Sequence, residues 1–282
     1  MTYKLFAAIH AGSEEVSMKI YEISKRNGIR LIDTAVHYTE LGSDTYLKGY
    51  IGYELVNELC DVLESFKMKM KEYQVIDYAA YASSAIGEAS NKNIIIDRIK
   101  VRTGITLIPI DNSEQFFLKL RSVALGMPDF RQLTGEGAAI VDMGGGSLEL
   151  TVYDKGRLIF AQNLKLGSLR IREILADLEG RSTDFISVMN DYIGNDIDTL
   201  SKLFMIDHHV RHLIIGGNGI RHAEPASVLT GGNRCIARAH HAALAVELSI
   251  HDPGIDEGTQ VVDVIPQAFA LQGAQNRCPT FV

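Results

Sequence analysis

Two stretches of the chain share one pattern of apolar runs separated by turns of small residues. In the first, the apolar or alternating residues at 3–11, 16–23 and 30–36 predict the three strands of a β-meander. In the second, residues 138–153 predict two strands around a glycine-rich turn, and residues 158–164 predict a third strand. The repeated design predicts two duplicated domains that face each other.

Helix and strand patterns alternate between and after the meanders. Apolar residues recur at helical spacing over 50–71, and residues 74–81 predict a strand. This alternation predicts an α/β fold with mixed β-sheets flanked by helices. The polar, turn-rich stretch 126–137 predicts a linker, which divides the chain into an N-terminal domain, 1–125, and a second domain, 126–282. Further helices are predicted over 91–103, over 115–125, from 170 to 178 and over 183–204.

The turn of the second meander carries the candidate chemistry. Asp142 stands near the end of an apolar strand, and Gly144, Gly145, Gly146 and Ser147 follow it. Glycines let backbone N–H groups approach an anion without interference from a Cβ atom. An aspartate at a strand end can hold a divalent cation or orient a water molecule. An ordinary glycine hairpin is the alternative.

Two further glycine turns, at 12–13 and at 216–219, also follow apolar strands. Three such turns are what a cleft between two similar domains would use to bind phosphates from opposite walls. Three unrelated hairpins are the alternative interpretation.

The amino-acid composition limits the classes of molecule that the chain is expected to bind. The chain of 282 residues is 46% hydrophobic and 22% charged, as expected for a globular protein with room for two domains. Its formal net charge of −7 argues against broad binding of nucleic acid or acidic membranes. The three cysteines have no metal-like spacing, and the N-terminus lacks a signal-peptide layout, so we expect a cytoplasmic location. No apolar run approaches the roughly 20 residues needed to cross a bilayer.

Four segments together resemble a known family. Residues 8–13, 82–91, 140–149 and 215–219 are similar, in this order, to the successive motifs of the exopolyphosphatase/guanosine pentaphosphate phosphohydrolase (Ppx/GppA) family. The resemblance implies two ribonuclease-H-like domains of the actin-like ATPase superfamily, with the catalytic cleft between them. It also implies Mg²⁺-dependent hydrolysis of the terminal phosphate of polyphosphate or pppGpp, by a water molecule that a glutamate activates.

The resemblance assigns roles to residues of this chain. Asp142 matches the aspartate on the metal and phosphate side, and Glu149 matches the acid that follows the turn. The positions implied for phosphate binding are Gly12, Ser13, Gly144, Gly145, Gly146, Ser147, Gly216 and Gly217.

Several family positions are substituted, among them the two polar positions that follow the first turn, which are Glu14 and Glu15 here. His10 replaces the acid of the first strand, and whether it binds metal or is simply packed is left open. Gly87 replaces an arginine and removes a bidentate phosphate clamp. Gln115 occupies the position of the general base, and an amide cannot accept a proton from water. Glu114 is the alternative base, although neighbouring helix positions point about 100° apart.

We therefore expect a phosphohydrolase-family protein that acts on or binds polyphosphate or guanosine pentaphosphate, with weak or no hydrolysis. A non-catalytic, phosphate-binding regulatory module is the alternative. The resemblance implies Mg²⁺ as the cofactor, with Asp142 as its ligand. No nucleic-acid or membrane partner is expected, and a homodimer is left open. The candidate catalytic residues are Asp142, Glu149, Glu114 and Gln115, the last as a degenerate base position.

Overall fold

A computed structural model describes residues 3–24, 28–179, 184–204 and 210–217, and five short segments at 223–224, 234–235, 238–239, 248–249 and 260–262. The chain divides into two compact units, and the boundary between Ser122 and Val123 lies inside one helix. The predicted domain limits at 125 and 126 stay a prediction.

The first unit is built on a mixed five-stranded sheet. Its strands are β1 (Lys4–Ala11), β2 (Glu15–Ser24), β3 (Gly28–Tyr38), β4 (Asp77–Ala82) and β5 (Ile108–Pro109). Their order is β3-β2-β1-β4-β5, with β1 antiparallel to β2 and parallel to β4, and β2 antiparallel to β3. The helices are α1 (Leu41–Lys48), α2 (Tyr53–Glu72), α3 (Ser84–Glu88), α4 (Lys92–Thr103) and α5 (Asn112–Gly126).

The second unit is built on another mixed sheet. Its first strands are β6 (Ala138–Met143), β7 (Leu148–Asp154), β8 (Arg157–Leu164) and β9 (His212–Gly216). Its helices are α6 (Phe130–Glu136), α7 (Ser168–Glu179) and α8 (Phe185–Phe204).

Five short strands follow β9 in the chain. They are β10 (Ala223–Glu224), β11 (Arg234–Cys235), β12 (Arg238–Ala239), β13 (Leu248–Ser249) and β14 (Gln260–Val262). Strand β10 pairs with β12, and β11 pairs with β13. Strand β14 joins the sheet of the second unit, whose order is β8-β7-β6-β9-β14.

The two sheets have the same topology. In each, the first strand lies at the centre, pairs antiparallel with the second and parallel with the fourth, and the third strand forms an edge. The predicted duplication and the predicted α/β class, with mixed sheets flanked by helices, are therefore confirmed.

Each sheet has one apolar face and one face that carries buried polar residues. Alternate strand residues point to opposite faces. In the first sheet, Ala7 and Ile9 of β1 belong to the main core, and His10 lies on the other face. In the second sheet, Val141 of β6 packs in the apolar core against α7 and α8, which places Asp142 on the opposite face.

Two helices differ from the sequence-based expectation. The stretch 126–137 was predicted as a linker, but it contains helix α6, so that prediction was wrong for these residues. The helix is stabilised by packing rather than by a periodic pattern of apolar residues in its own sequence. The ring of Phe130 contacts that of Tyr153 edge-on at a centroid distance of 5.7 Å. Helix α1 had no clear periodic signal, and it is fixed by a long-range hydrogen bond from Thr45 Oγ1 to the carbonyl oxygen of Ala85, at 2.7 Å. By contrast, α4 ends at Thr103, the limit predicted for this helix, and its C-cap Gly104 has the left-handed conformation with φ 74°.

Within the part of the chain that the structure describes, no helix combines the length and the apolar character that a membrane span requires.

Candidate phosphate-binding site

Asp142 and Glu149 form a buried pair beside the glycine-rich turn. They occupy facing register positions on β6 and β7, and the exposed fractions are 7% for Asp142 and 4% for Glu149. Side chains at facing positions of antiparallel strands lie on the same side of the sheet. On the other flank of β6, Gly216 is the parallel register partner of Asp142. Asn163 donates a hydrogen bond from Nδ2 to Glu149 Oε1 at 3.2 Å.

The turn between these strands is fixed by its carbonyl groups. The carbonyl oxygen of Gly144 accepts from the backbone N–H of Ser168 at 3.1 Å, and that of Gly145 accepts from the N–H of Arg170 at 2.9 Å. The carbonyl oxygen of Gly146 accepts from Arg170 Nε at 2.8 Å. All three carbonyl groups therefore point toward the start of α7.

This anchoring decides where the amide groups of the turn point. In a planar trans peptide, the C=O of one residue and the N–H of the next are antiparallel. The N–H groups of Gly145, Gly146 and Ser147 must therefore point away from α7, which packs on the apolar face of the sheet. Asp142 lies on the opposite face, so the amides and this carboxylate are on the same side. Successive N–H groups with one common direction form a concavity that binds anions.

Two glycines are required next to the turn because other backbone atoms approach too closely for a side chain. A Cβ atom on Gly167 would lie 2.3 Å from the carbonyl carbon of Gly146 and from the nitrogen of Ser147. Gly217 has φ +119°, and a Cβ atom there would lie 1.9 Å from the carbonyl oxygen of Met143. Gly217 thus has a packing role at the end of β6, whereas residues 218 and 219 of the same motif lie outside the described residues.

The first unit contains the same hairpin. Gly12 N–H donates to the carbonyl oxygen of Glu15 at 2.8 Å, as Gly144 N–H donates to that of Ser147 at 2.9 Å. This alignment makes His10 the counterpart of Asp142. His10 faces Ser17 across β1 and β2 at the position where Asp142 faces Glu149.

The carbonyl groups of the first turn are also held from one side. Those of Ser13 and Glu14 accept from the backbone N–H groups of Gly42 at 2.9 Å and Thr39 at 3.0 Å. By the same peptide geometry, the N–H groups of Glu14 and Glu15 point away from this segment. The difference between the two turns lies in their side chains, because carboxylates occupy the first turn where glycine and serine occupy the second.

Ser13 of the first turn belongs to a network of hydroxyl groups. Its Oγ lies 2.6 Å from the Tyr46 hydroxyl oxygen and 3.5 Å from Ser84 Oγ, and Tyr46 and Ser84 are 3.0 Å apart. Gly12 is packed tightly as well, since a Cβ atom there would lie 3.0 Å from His10 Cε1.

His10 is a buried, neutral imidazole. Its exposed fraction is 5%. Burial, and to a smaller extent the charge of the nearby Lys119, lowers the pKa of His10 to about 3. The first unit thus has a neutral ring at position 10 and a hydroxyl group at Ser17 where the second unit has two carboxylates, and Lys119 on α5 is also buried.

Helix α5 presents Gln115 and Glu114 to different environments. Gln115 is 8% exposed and lies one turn before Lys119 on the same side of the helix. Glu114 is exposed and caps the helix. Its Oε2 accepts from the N–H of Asp111 at 3.2 Å, while its own N–H donates to Asp111 Oδ1 at 2.8 Å. This reciprocal pair is a capping box.

Gly87, at the position of the family arginine, has space around it. It lies in α3, and the nearest heavy atom to a Cβ added at this position would be the carbonyl oxygen of Ile110, at 3.8 Å. Its backbone angles do not demand glycine. Packing therefore does not require glycine at this position.

The second unit offers a donor set that suits Mg²⁺. This ion prefers oxygen ligands and is commonly held by one or two carboxylates together with phosphate oxygens. Asp142 and Glu149 fit that description. In the described residues there is no cluster of three or more His, Cys, Asp or Glu side chains that could hold a metal by themselves.

No sequence motif marks Gly167, Arg170 or Lys119 as site residues. The sequence 167–170 predicts only the start of a helix, and Lys119 lies in an ordinary amphipathic pattern. A glycine and an arginine three residues apart directly after a strand are a weak signal, because their partners lie in a distant turn.

Comparison with known proteins identifies the family. The model of the Ppx/GppA phosphatase family matches residues 20–219. A bifunctional 3-dehydroquinate synthase/phosphatase from Fusobacterium nucleatum is 22% identical over 176 residues, which cover 60% of this chain and 26% of the relative. The chain thus corresponds to about a quarter of that relative's length.

Two crystal structures have the same fold. A Ppx/GppA family member from Aquifex aeolicus has a TM-score of 0.58 and 22% identity, covering 78% of this chain and 68% of that one. An exopolyphosphatase from Cytophaga hutchinsonii has a TM-score of 0.65 and 23% identity, covering 77% and 68%. The chain therefore belongs to the Ppx/GppA phosphatase family.

Proposed function

We propose that the chain binds the terminal phosphate of polyphosphate or of guanosine pentaphosphate at the turn formed by residues 144–147. The observation that carries this proposal is the anchoring of three successive carbonyl groups to the start of α7. It directs the N–H groups of Gly145, Gly146 and Ser147 toward the side of the sheet that carries Asp142. A terminal phosphate offers several oxygens that can accept from these amides at once.

Mg²⁺ completes the proposed site. Two carboxylates next to an anion-binding turn would repel a phosphate, and a divalent cation removes that repulsion. We propose that Asp142 holds the ion, with Glu149 as a second oxygen ligand or as the acceptor that orients its hydration shell. When bound, the ion would supply charge neutralisation and Lewis acidity at the phosphate.

We further propose that hydrolysis of the terminal phosphoanhydride is weak or absent. Gln115 has no group that can take a proton from water, and the exposed Glu114 carboxylate caps α5. General-base assistance is worth roughly 10²- to 10⁴-fold in rate, so its loss would leave binding largely intact and turnover low. Asp142 and Glu149 would then serve ligand binding more than catalysis. A regulatory module that reports the presence of a phosphorylated ligand is the second candidate function.

Titration calorimetry with tripolyphosphate and Mg²⁺ tests the binding proposal. We expect wild-type protein to bind and Asp142→Ala to lose at least about tenfold in affinity, or about 1.4 kcal/mol. Asp191→Ala, at an exposed position of α8, removes the same charge elsewhere in the second unit and is the matched control. Equal affinity of all three proteins would overturn the assignment of the ligand to this turn.

Phosphate release from polyphosphate and from pppGpp tests the turnover proposal. Slow release by the wild type that Gln115→Glu accelerates would support a degenerate base position. Robust release by the wild type that depends on Asp142 but not on Gln115 would refute the low-activity proposal and require a base elsewhere.

A further inference from the structure

Arg170 donates two hydrogen bonds to the phosphate turn. Its backbone N–H donates to the carbonyl oxygen of Gly145 at 2.9 Å, and its Nε donates to that of Gly146 at 2.8 Å. Arg170 is the third residue of α7, and its exposed fraction is only 7%. A buried guanidinium has lost most of its hydration, so its bond to a carbonyl group is charge-assisted in a low-dielectric environment.

The turn needs such an anchor because of its composition. Three consecutive glycines have the largest backbone freedom of any sequence, so their amide directions are not fixed locally. Almost any residue at positions 168 and 170 can donate the backbone hydrogen bonds from α7 to the carbonyl groups of Gly144 and Gly145. The bond to Gly146 requires a side-chain donor that reaches back over the turn, and it orients the N–H of Ser147.

We propose that Arg170 is a positioning residue that holds the amides of the 144–147 turn in their phosphate-binding direction. This inference rests on the proposed phosphate site. Since Nε faces a carbonyl oxygen, the guanidinium lies on the side of the turn toward α7, and the amides point to the other side. Arg170 therefore acts through the turn and makes no contact with the ligand.

Arginine is specific for this role. Its Nε–H lies in the plane of a rigid group with fixed donor directions, whereas a lysine ammonium is a flexible, strongly hydrated point charge. A lysine at 170 would keep the charge and the backbone bond to Gly145 but lose the oriented bond to Gly146. The Arg170→Lys variant therefore separates positioning from charge.

The test is an amide NMR titration of the full chain with tripolyphosphate in the presence of Mg²⁺. In the wild type we expect the resonances of Gly145, Gly146 and Ser147 to shift on binding. Arg170→Lys should weaken the affinity at least about tenfold with the melting temperature little changed, and Arg170→Ala should weaken it further. Arg172→Ala is the matched control, because Arg172 lies on the same helix, is partly exposed and bonds to Glu173 instead.

The outcomes distinguish a failure of the proposed phosphate site from a failure of the proposed positioning role of Arg170. If the wild-type ligand binds without shifting residues 145–147, the phosphate site itself is wrong. If these resonances shift and Arg170→Lys binds as tightly as the wild type, the site stands and the positioning role is refuted. If the variants fail to fold, the positioning role can be tested in the wild type by NMR. The quantity to measure is the scalar coupling across the hydrogen bond between Arg170 Nε and the Gly146 carbonyl group. It should be observed and persist with ligand, and its absence would overturn the inference.

Discussion

Asp142 and Glu149 occupy facing positions on β6 and β7, and both carboxylates are buried beside a turn of three glycines. In the duplicated first sheet, His10 faces Ser17 at the same register. The two halves of the molecule have therefore kept one hairpin geometry and changed its chemistry. The second unit has two buried carboxylates beside a glycine turn, while the first has a neutral imidazole near Lys119.

Substitution of Gly167 by alanine should disrupt the turn. The added Cβ would come within 2.3 Å of the backbone of Gly146 and Ser147, so the turn or the start of α7 must move. We expect Gly167→Ala to lower the free energy of unfolding by about 1–3 kcal/mol and to weaken tripolyphosphate binding. Urea denaturation and calorimetry measure both effects.

Gly194→Ala is the control for that substitution. Gly194 lies inside α8, and among the described residues no heavy atom outside the neighbouring backbone of this helix lies within 4 Å of a Cβ position. Because alanine has the higher helix propensity, this change should raise stability by about 0.5–1 kcal/mol. A Gly167→Ala protein as stable as Gly194→Ala would contradict the close contact between residue 167 and the turn.

The pH dependence of stability should reveal the neutral His10. Its pKa in the folded protein is about 3, below the ordinary value of 6.5, mainly because the ring is buried. Between these values the unfolded chain binds a proton that the folded chain does not bind, so stability falls as the pH drops from 6.5 toward 3. His10→Asn should reduce this slope by up to about 1.4 kcal/mol per pH unit.

NMR titration of the imidazole checks the same point directly. We expect no protonation of His10 above about pH 4, and we expect Lys119→Met to raise its pKa only in part, since burial is the larger cause. A His10 ring that titrates near its ordinary pKa in the folded protein would refute the interpretation of this position as buried and neutral.

Restoring two family positions should raise turnover. Gln115→Glu supplies a carboxylate at the base position, and Gly87→Arg places a guanidinium where the nearest atom to the Cβ is 3.8 Å away. We expect the double variant to release phosphate from polyphosphate at least about tenfold faster than the wild type. Gly135→Arg, at an open position of α6, is the control for added charge. No gain over that control would indicate that other features prevent catalysis.

Removal of the Glu114 carboxylate should affect stability and leave turnover unchanged. Glu114→Ala breaks the capping box with Asp111, so we expect a loss of at most about 1 kcal/mol in the free energy of unfolding. Phosphate release should be measured in the Gln115→Glu background, where the signal is larger. A collapse of that activity without loss of stability would identify Glu114 as a base.

The features that the sequence predicts well are those encoded by neighbouring residues. Strand alternation and turns of small residues, at 12–13 and at 144–147, locate the two meanders, and Gly104 marks the end of α4. The sequence does not predict helix α6, because the helix is stabilised by the packing of Phe130 on Tyr153, which is not a local feature. The sequence does not predict Arg170 as a site residue, because its partner Gly146 lies 24 residues earlier and no local pattern indicates such a contact.

The central claim is that the amides of Gly145, Gly146 and Ser147 bind a terminal phosphate. A crystal structure of the full chain grown with tripolyphosphate and Mg²⁺ tests it most directly. We predict a terminal phosphate within hydrogen-bonding distance of the backbone nitrogens of Gly145, Gly146 and Ser147, with the Asp142 carboxylate on the same side. Ligand bound elsewhere on the chain, or a turn whose amides face α7, would contradict the claim.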